Sequence, residues 1–261
     1  MGSFSCLFMG IRRQIIMFSP VLIHVPHSSV NIPPKYRQTF LADIETELGF
    51  MTDWYTDELL SCRHESLIFP VSRLVCDVER FRDDSEEVMS ARGMGAVYEN
   101  CHDLKPLRKL QPGEREKILS EWYDPHHRRL EEAVGARLAA FSRCLIIDAH
   151  SFYHEPLPYE LDREKDRPDF CVGTDGYHTP AGMGERLAER LRELGYTAKL
   201  NSPFSGSIVP LKYYGRDKRV ASIMLEINRG LYLDGIEKSP GFGRVKSDAM
   251  DFIEQAFAYM P

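Results

Sequence analysis

The sequence contains no closely spaced pair of cysteines. Six cysteines occur singly along 261 residues, and no two of them form a C-x-x-C pair. This absence argues against a thiolate zinc site and against a redox motif, and it fits a protein of the reducing cytoplasm. Cys76, Cys144 and Cys171 stand inside apolar runs, so we predict that they are buried as small hydrophobic residues.

An excess of basic residues is also missing. The chain has 33 Lys and Arg against 39 Asp and Glu, which gives a net charge of −6. Nucleic-acid-binding proteins usually carry a basic surface, so we expect no nucleic-acid partner. A small anionic substrate held by a few local arginines is compatible with this charge.

Long hydrophobic runs are absent as well. No stretch approaches the roughly 20 apolar residues of a membrane-spanning helix, so we expect no membrane association. The apolar run after Arg12 and Arg13 is too short for a signal peptide. The sequence also lacks the G-x-S-x-G motif of many serine hydrolases, which disfavours that class of enzyme.

The order of the remaining segments predicts the fold class. Segments typical of strands alternate with segments typical of helices. This alternation predicts an α/β protein with three layers, α/β/α, around a mixed and mostly parallel sheet. No linker-like stretch divides the chain, so we predict a single domain over residues 20–261, with residues 1–19 as an extension or a loose N-terminal arm.

Several local predictions concern the segments around the expected site. Residues 66–81 are predicted to hold one or two strands interrupted at Pro70. Thr52 is predicted to cap a helix over residues 53–62. The longest helical segment is expected over residues 112–141, with a break or kink at Pro125.

Three apolar runs typical of buried strands end in chemically reactive side chains. One run leads into Asp148 and His150, a second into His27 and a third into Glu226. In open α/β sheets, the carboxyl ends of the strands present such groups at one edge. The pattern therefore predicts a metal-dependent hydrolase.

The two histidines are the first candidates for metal ligands. Imidazole suits zinc, and a catalytic zinc site typically has three protein ligands and one open position. The third ligand is either Asp53 or Asp57, and we favour Asp53 because it lies nearer the expected edge of the sheet. Asp148 shares the side of its strand with His150, where it can orient a histidine or hold the active-site water. We expect one Zn²⁺ per chain, bound by His27, Asp53 and His150.

Glu226 and three further histidines each allow a catalytic and a structural interpretation. Glu226 ends an apolar run, so burial is expected to raise its pKa and suit it to act as a general base; the alternative is a structural partner of Arg229. His24, inside an apolar run, is more typical of a packed core histidine. Of His126 and His127, one could act as an acid/base group or oxyanion donor, and a solvated helix face is the alternative.

Three arginines lie near predicted strand ends or a glycine-containing loop. They are Arg80, Arg92 and Arg229. If the substrate is a dicarboxylate, guanidinium groups are the expected means of binding it, because they pair with carboxylates in a bidentate manner.

Eight short segments occur in an order that covers nearly all of residues 20–240. They are VPHSS at His27, TDWYTDEL at Asp53, RLVCDVERF at Asp77 to Arg80, YDPHHRRL at His127, DAHSF at His150, RPDFCVGTD at Arg167 to Asp175, NSPFSGS at Asn201 to Ser207 and EINRGLYLD at Glu226. As an ordered set, these segments resemble the N-formylglutamate amidohydrolase family.

The resemblance implies a zinc-dependent α/β/α hydrolase related in fold to the zinc carboxypeptidases. It implies that His27, Asp53 and His150 hold zinc and that Glu226 activates water. The expected reaction is hydrolysis of an N-acyl amino acid, with N-formyl-L-glutamate as the leading candidate.

The substrate is expected to meet a second set of residues. The candidates for substrate binding are Arg80, Arg92, Arg229 and Asn201, and His127 is the candidate for stabilising the oxyanion. Two alternatives remain open. One is a zinc amidase acting on another N-acyl amino acid or a short peptide, and the other is a non-catalytic metal-binding or regulatory protein on a hydrolase fold.

Overall fold

The structure, a computed structural model, describes residues 17–260. Residues 1–16, which make up most of the predicted N-terminal arm, lie outside the described residues. The first described strand begins at Met17, three residues before the predicted boundary at Pro20.

The described chain alternates strands and helices, as the sequence predicts. The strands are β1 Met17–Val25, β2 His64–Ile68, β3 Cys144–Phe152, β4 Phe170–Thr174, β5 Ala198–Leu200, β6 Val220–Asn228, β7 Leu233–Asp234 and β8 Glu237–Lys238. The helices are α1 Pro34–Arg37, α2 Ile44–Met51, α3 Thr56–Leu59, α4 Glu114–Ile118, α5 Asp124–Phe141, α6 Met183–Glu193 and α7 Phe242–Ala258.

Six of the strands form one sheet in the order β2-β1-β3-β6-β4-β5. All neighbouring pairs are parallel except β4 and β6, which are antiparallel. The predicted mixed and mostly parallel sheet is therefore confirmed. Because β1, β3 and β6 run in the same direction, their carboxyl ends meet at one edge of the sheet.

The two-residue alternation of the central strands separates the two faces of the sheet. Ile23, Ile147 and Ile223 face the large core cluster that includes residues of α3, α6 and α7. On the opposite face, Leu22 and Ile146 pack with residues of α5. Helices thus cover both faces, in the three-layer arrangement predicted.

The face covered by α5 changes character toward the carboxyl ends of its strands. His24 and Asp148 are paired in register between β1 and β3, and His150 and Glu226 are paired between β3 and β6. The same face is therefore apolar at the start of these strands and ionisable at their ends.

Two local predictions can be compared with the structure. Only one strand, β2, lies in the predicted 66–81 region, because the chain leaves the sheet at Pro70 and forms turns. The predicted break at Pro125 is present: a wide helical turn at Leu119–Tyr123 joins α4 to α5, and Pro125 stands in the first turn of α5. Proline donates no N–H, so the regular hydrogen-bond pattern of an α-helix is interrupted at this position.

Two expected absences can be compared with the described part of the chain. No helix within residues 17–260 is long and apolar enough to cross a membrane. The five cysteines of this range are unpaired and buried, including the three predicted to be buried.

Candidate functional site

Three predicted ligand side chains meet at the polar edge of the sheet. One ligand atom from each of His27, Asp53 and His150 lies within 4.8 Å of the other two, and all three residues are buried. Asp57 belongs to neither of the two potential ligand groups found among residues 17–260. The structure therefore places Asp53, and not Asp57, with the histidines.

Asp53 reaches this position from a loop and not from a helix. The backbone N–H of Asp53 donates to the carbonyl of His27 at 3.0 Å, which ties the loop to the end of β1. Thr52 was expected to begin a helix but instead ends α2, since its N–H donates to the carbonyl of Leu48. The helix that follows covers only Thr56–Leu59, so the predicted helix over residues 53–62 is wrong.

A carboxylate fixes the ring of each histidine. His27 Nε2 lies 2.8 Å from Asp77 Oδ1, and His150 Nε2 lies 3.1 Å from Asp148 Oδ1. A carboxylate accepts hydrogen bonds, so each Nε2 carries the proton and each Nδ1 is the potential ligand atom. Asp148 thus contacts His150, as the sequence predicts. The matching contact between Asp77 and His27 was not predicted.

The two Nδ1 atoms converge on one oxygen of Asp53. Asp53 Oδ2 lies 3.2 Å from His150 Nδ1 and 3.6 Å from His27 Nδ1. The Nδ1 atom of His27 is buried and has no hydrogen-bond partner among the described residues. Burial favours the neutral form of Asp53, but His150, His27 and Arg73 hold its pKa well below the usual range. Two imidazoles and an ionised carboxylate with an unpartnered buried nitrogen fit a zinc ion, because zinc binds such N and O donors.

A second layer of charge surrounds these ligands. Asp77 accepts hydrogen bonds from Arg73 at 2.8 Å, from the backbone N–H of Glu79 at 2.9 Å and from the hydroxyl of Tyr98. Burial acts against its ionisation, but His27, Arg73 and another nearby arginine hold the pKa of Asp77 well below its usual range. Asp77 therefore stays a carboxylate and can keep His27 oriented.

His24 is packed in the core and hydrogen-bonded, as predicted. Its Nδ1 lies 2.9 Å from Asp148 Oδ1 and 3.2 Å from Glu79 Oε1, and its Nε2 lies 2.9 Å from His126 Nε2. Burial alone would lower the pKa of His24, but Asp148 and Glu79 raise it to about 9. Burial and the neighbouring His24 lower the pKa of His126 to about 2. The His24 imidazolium therefore donates from Nε2 to the neutral His126 ring and from Nδ1 to Asp148. The second hydrogen bond holds Asp148 in place beside His150.

Glu226 is a buried carboxyl group without a fixed partner. Its Oε2 atom has no hydrogen-bond partner within the described residues. Burial raises the pKa of Glu226 to about 8; His150 lowers this pKa and Asp53 raises it, both to smaller extents. Arg229, the alternative structural partner, pairs instead with Asp53. A carboxyl group that changes protonation near neutral pH suits general acid/base chemistry.

The predicted substrate-binding arginines have different surroundings. Arg229 is engaged with the protein: its nitrogens donate to Asp53 at 3.0 Å, to Ser151 Oγ at 3.2 Å and to the carbonyl of Phe50 at 2.6 Å. Arg80 lines the cavity beside the ligand group and donates through Nε to the carbonyl of Met94 at 3.3 Å. No hydrogen bond to another described residue is found for the two terminal nitrogens of Arg80.

Two of the predicted substrate-binding residues do not line this cavity. Arg92 donates to the carbonyl of Pro158 at 3.3 Å. Asn201 is exposed and is occupied with Thr174, whose backbone N–H donates to its Oδ1 at 2.8 Å. The structure therefore does not bring Arg92 or Asn201 to the predicted site.

His127 lines the cavity, but its hydrogen bond limits its role. Its Nε2 lies 3.0 Å from the carbonyl of Val78, and a carbonyl only accepts, so Nε2 carries the proton. Burial lowers the pKa of His127 below its ordinary value, which leaves the ring neutral at pH 7 with a lone pair on Nδ1. A lone pair cannot donate to an oxyanion, so this geometry does not support the predicted oxyanion role.

One open cavity of about 500 Å³ is lined by the three ligand residues and by Asp148, Glu226, Arg80, Arg229 and His127. The cavity also has an apolar part, formed by residues that follow β3 and β5. This volume lies within the range of pockets that bind small molecules.

Known proteins share this architecture. The N-formylglutamate deformylase of Pseudomonas aeruginosa is 28% identical over 234 residues, which are 85% of this chain and 84% of that protein. The crystal structure of the N-formylglutamate amidohydrolase from Ralstonia eutropha JMP134 has a TM-score of 0.77 at 23% identity, covering 93% of this chain and 94% of that one. A gene product of Agrobacterium tumefaciens has a TM-score of 0.70 at 18% identity, covering 92% and 91% of the two chains. The two structures confirm the α/β fold.

The sequence itself also matches a family description over most of its length. Residues 19–233 match the N-formylglutamate amidohydrolase family. This range includes the three ligand residues His27, Asp53 and His150, and it also includes Glu226. The chain therefore belongs to the N-formylglutamate amidohydrolase family and is a hydrolase that acts on an amide bond.

Proposed function

We propose that this enzyme uses one zinc ion to hydrolyse the amide of an N-acyl amino acid, with N-formyl-L-glutamate as the leading substrate. One observation carries the proposal: the unpartnered carboxyl group of Glu226 shares a cavity with His27, Asp53 and His150. The name of the Pseudomonas aeruginosa relative supports N-formylglutamate as the substrate.

Three residues would hold the metal ion. His27 and His150 would bind it through Nδ1, and Asp53 through Oδ2, since these atoms converge. When bound there, zinc would supply a Lewis acid that polarises the acyl oxygen and lowers the pKa of water to roughly 7. Asp77 and Asp148 hold the two imidazole rings so that each Nδ1 lone pair faces the ligand position.

Glu226 would move the proton during the reaction. It accepts a proton from water while the water oxygen adds to the acyl carbon, and it delivers that proton to nitrogen as the C–N bond breaks. The products are formate and L-glutamate when the acyl group is formyl. The raised pKa of Glu226 supports this role, because proton transfer is most efficient when the pKa of the group lies near the working pH.

Arg80 would bind a carboxylate of the substrate. Arg80 lines the cavity, and its terminal nitrogens make no hydrogen bond to another described residue. Arg229, in contrast, donates to Asp53 and Ser151. A guanidinium group can hold a carboxylate by two parallel hydrogen bonds. His127 Nδ1 could accept a hydrogen bond from the substrate.

The geometry of Glu226 does not favour the non-catalytic alternative. A non-catalytic metal protein offers no account of Glu226, since a buried carboxyl oxygen without a hydrogen bond is costly. The cytoplasm stays a prediction, based on the unpaired cysteines.

Zinc removal and return test the proposal. Protein treated with a chelator and dialysed should release no formate from N-formyl-L-glutamate, and activity should return at about one zinc ion per chain. Formate release and metal content are measured on the same sample. The proposal is wrong if the metal-free protein is fully active, or if the zinc-loaded protein hydrolyses no N-acyl amino acid.

The choice of third ligand leads to a separate prediction. Asp53→Asn should weaken zinc binding by about 100-fold or more, which exceeds the usual effect of a residue outside the ligand group. Asp57→Asn, a matched change on α3, should leave zinc affinity nearly unchanged. Competition with a zinc chelator gives both affinities. A larger loss for Asp57→Asn would place the ligand on the helix instead.

The role of Arg80 can be tested in the same way. Arg80→Ala should lower kcat/KM by about 10- to 100-fold, mainly through a higher KM, because a charge-assisted hydrogen bond contributes about 1.5–3 kcal/mol. Arg92→Ala, which removes an arginine outside the cavity, should change kcat/KM by less than about twofold. Equal losses for both variants would refute the assignment of the substrate carboxylate to Arg80.

A further inference from the structure

The mouth of the active-site cavity is lined by exposed apolar side chains. Phe81, Leu161, Leu211 and Tyr214 are 47%, 61%, 69% and 49% exposed, and all four line the cavity. They come from three separate segments of the chain that follow β2, β3 and β5. Exposed apolar groups that converge on one opening usually mark a surface that is covered by a ligand.

The apolar surface begins deep in the cavity, beside Glu226. Cys171 on β4 is the cross-strand neighbour of Glu226, and its Sγ contacts the carbonyl oxygen of Phe204 at 3.1 Å. The ring of Phe204 packs 5.6 Å from that of Phe152. From Phe204 the same segment continues past Ser205, Gly206 and Ser207 to Ile208, Val209 and Leu211, which also line the cavity, so this wall is mainly apolar.

This wall is held firmly against the sheet. The backbone N–H of Ile208 donates to Asp148 Oδ2 at 3.0 Å, and the hydroxyl of Ser222 donates to the carbonyl of Ile208 at 2.7 Å. On β4, a Cβ atom added to Gly173 would lie 2.5 Å from the carbonyl oxygen of Gly206. Glycine at position 173 thus allows the segment to approach the sheet closely, and the apolar wall is a built part of the site.

The polar anchor lies on the other side of the ligand group. Arg80 lies near Asp77, which contacts His27 after β1, whereas Phe204 contacts β4. In the sheet, β3 and β6 separate β1 from β4. A substrate whose carboxylate is held by Arg80 and whose amide lies beside Glu226 would therefore direct its acyl group toward the apolar wall.

We propose that this cavity also takes N-acyl amino acids whose acyl group is an apolar chain longer than formyl, packed on Phe204 and Leu211. The inference rests on the proposed amide hydrolysis and specifies its substrate class. A formyl group has no carbon beyond its carbonyl and would leave the wall exposed to water. The reaction is the same in both cases: water adds to the acyl carbon, the C–N bond breaks, and a carboxylic acid and the amino acid are released.

A series of substrates tests this inference on the full-length, zinc-loaded enzyme. The series consists of N-formyl-, N-acetyl-, N-butyryl- and N-hexanoyl-L-glutamate, and release of glutamate is measured. We expect kcat/KM to rise by about two- to fourfold for each added methylene from the N-acetyl compound onward, the scale of burying one such group on an apolar wall.

A matched pair of variants tests where the acyl chain lies. Leu211→Ser should lower the ratio of kcat/KM for the N-hexanoyl and N-formyl substrates by about 3- to 10-fold. Leu41→Ser removes a leucine of similar exposure, 66%, that lies outside the cavity, and it should leave this ratio unchanged. An unchanged ratio in Leu211→Ser overturns the inference, and the exposure of Leu211 makes a folding defect a poor explanation.

Binding measurements separate this inference from the proposed function. Calorimetry on Glu226→Gln enzyme should give a lower Kd for N-hexanoyl- than for N-formyl-L-glutamate. If N-formyl-L-glutamate is the best substrate and the tightest ligand, the inference fails and the proposed function stands. If no substrate is cleaved but the N-hexanoyl compound still binds more tightly, the proposed function fails and the apolar subsite stands.

Discussion

Glu226→Gln enzyme is expected to turn over about 10²- to 10⁴-fold more slowly than the parent enzyme while it binds the same amount of zinc. Gln keeps the size of the side chain but cannot accept a proton from water. Glu226 lies opposite His150 in the sheet and has one carboxyl oxygen without a partner, so the substitution breaks no hydrogen bond of that atom. Turnover and zinc content are measured on one preparation.

The stability of the metal-free protein provides a second measurement on this variant. A folded-state pKa of about 8 against an ordinary value of 4.5 means that the folded state binds the proton more tightly. The favourable contribution of Glu226 is therefore complete below pH 4.5 and is lost as the pH rises through about 8. Since Gln does not titrate, the stability of Glu226→Gln relative to the parent protein should rise between about pH 4.5 and about pH 8 and stay level above that range.

The control for this substitution is Glu237→Gln, on the exposed strand β8. It makes the same chemical change far from the cavity and should alter neither turnover nor the pH dependence of stability. A Glu226→Gln enzyme that is less stable than the parent yet nearly as active would show that Glu226 is structural.

Replacement of His150 by Ala is expected to remove both the metal ion and the activity. The imidazole offers its Nδ1 to the ligand position, and no other nitrogen of β3 can replace it. Asp148 would also lose a hydrogen-bonding partner, and Asp53 would lose the imidazole that lies 3.2 Å from its Oδ2, so the remaining ligands would be less well oriented. Elemental analysis should find much less than one zinc ion per chain.

His154→Ala is the matched control for this prediction. His154 is an exposed histidine close to β3 in sequence, and it belongs to neither potential ligand group. Its replacement should leave zinc content unchanged. Full zinc content in folded His150→Ala protein would show that the ligand assignment is wrong, and circular dichroism confirms that the protein is folded.

Sequence periodicity was sufficient to predict the central sheet and the groups at its edge. The apolar runs before His27, His150 and Glu226 are strands β1, β3 and β6, as predicted. Parallel neighbouring strands bring their carboxyl ends together, so residues far apart in the chain could be assigned to one site. The two-residue alternation also placed Asp148 beside His150 correctly.

Loops were predicted less well, because their course depends on contacts between distant residues. Asp53 was expected in a helix, yet its position follows from a hydrogen bond to the carbonyl of His27. Helical spacing of apolar residues does not reveal such a bond. Asp77, which orients His27, lies in a segment that was predicted in part as strand but forms turns. The alternation of apolar and polar residues does not reveal the contact between Asp77 and His27.

The chain by itself therefore determined which side chains stand at the sheet edge, because strand alternation is a local property of sequence. Only the tertiary structure decided which charges remain free to act. Both Arg229 and Arg80 line the cavity. Arg229 is bound to Asp53, 176 residues away, whereas the terminal nitrogens of Arg80 make no hydrogen bond to another described residue. A guanidinium group has the same donors in either case, and its function depends on which acceptors the fold brings within hydrogen-bonding distance.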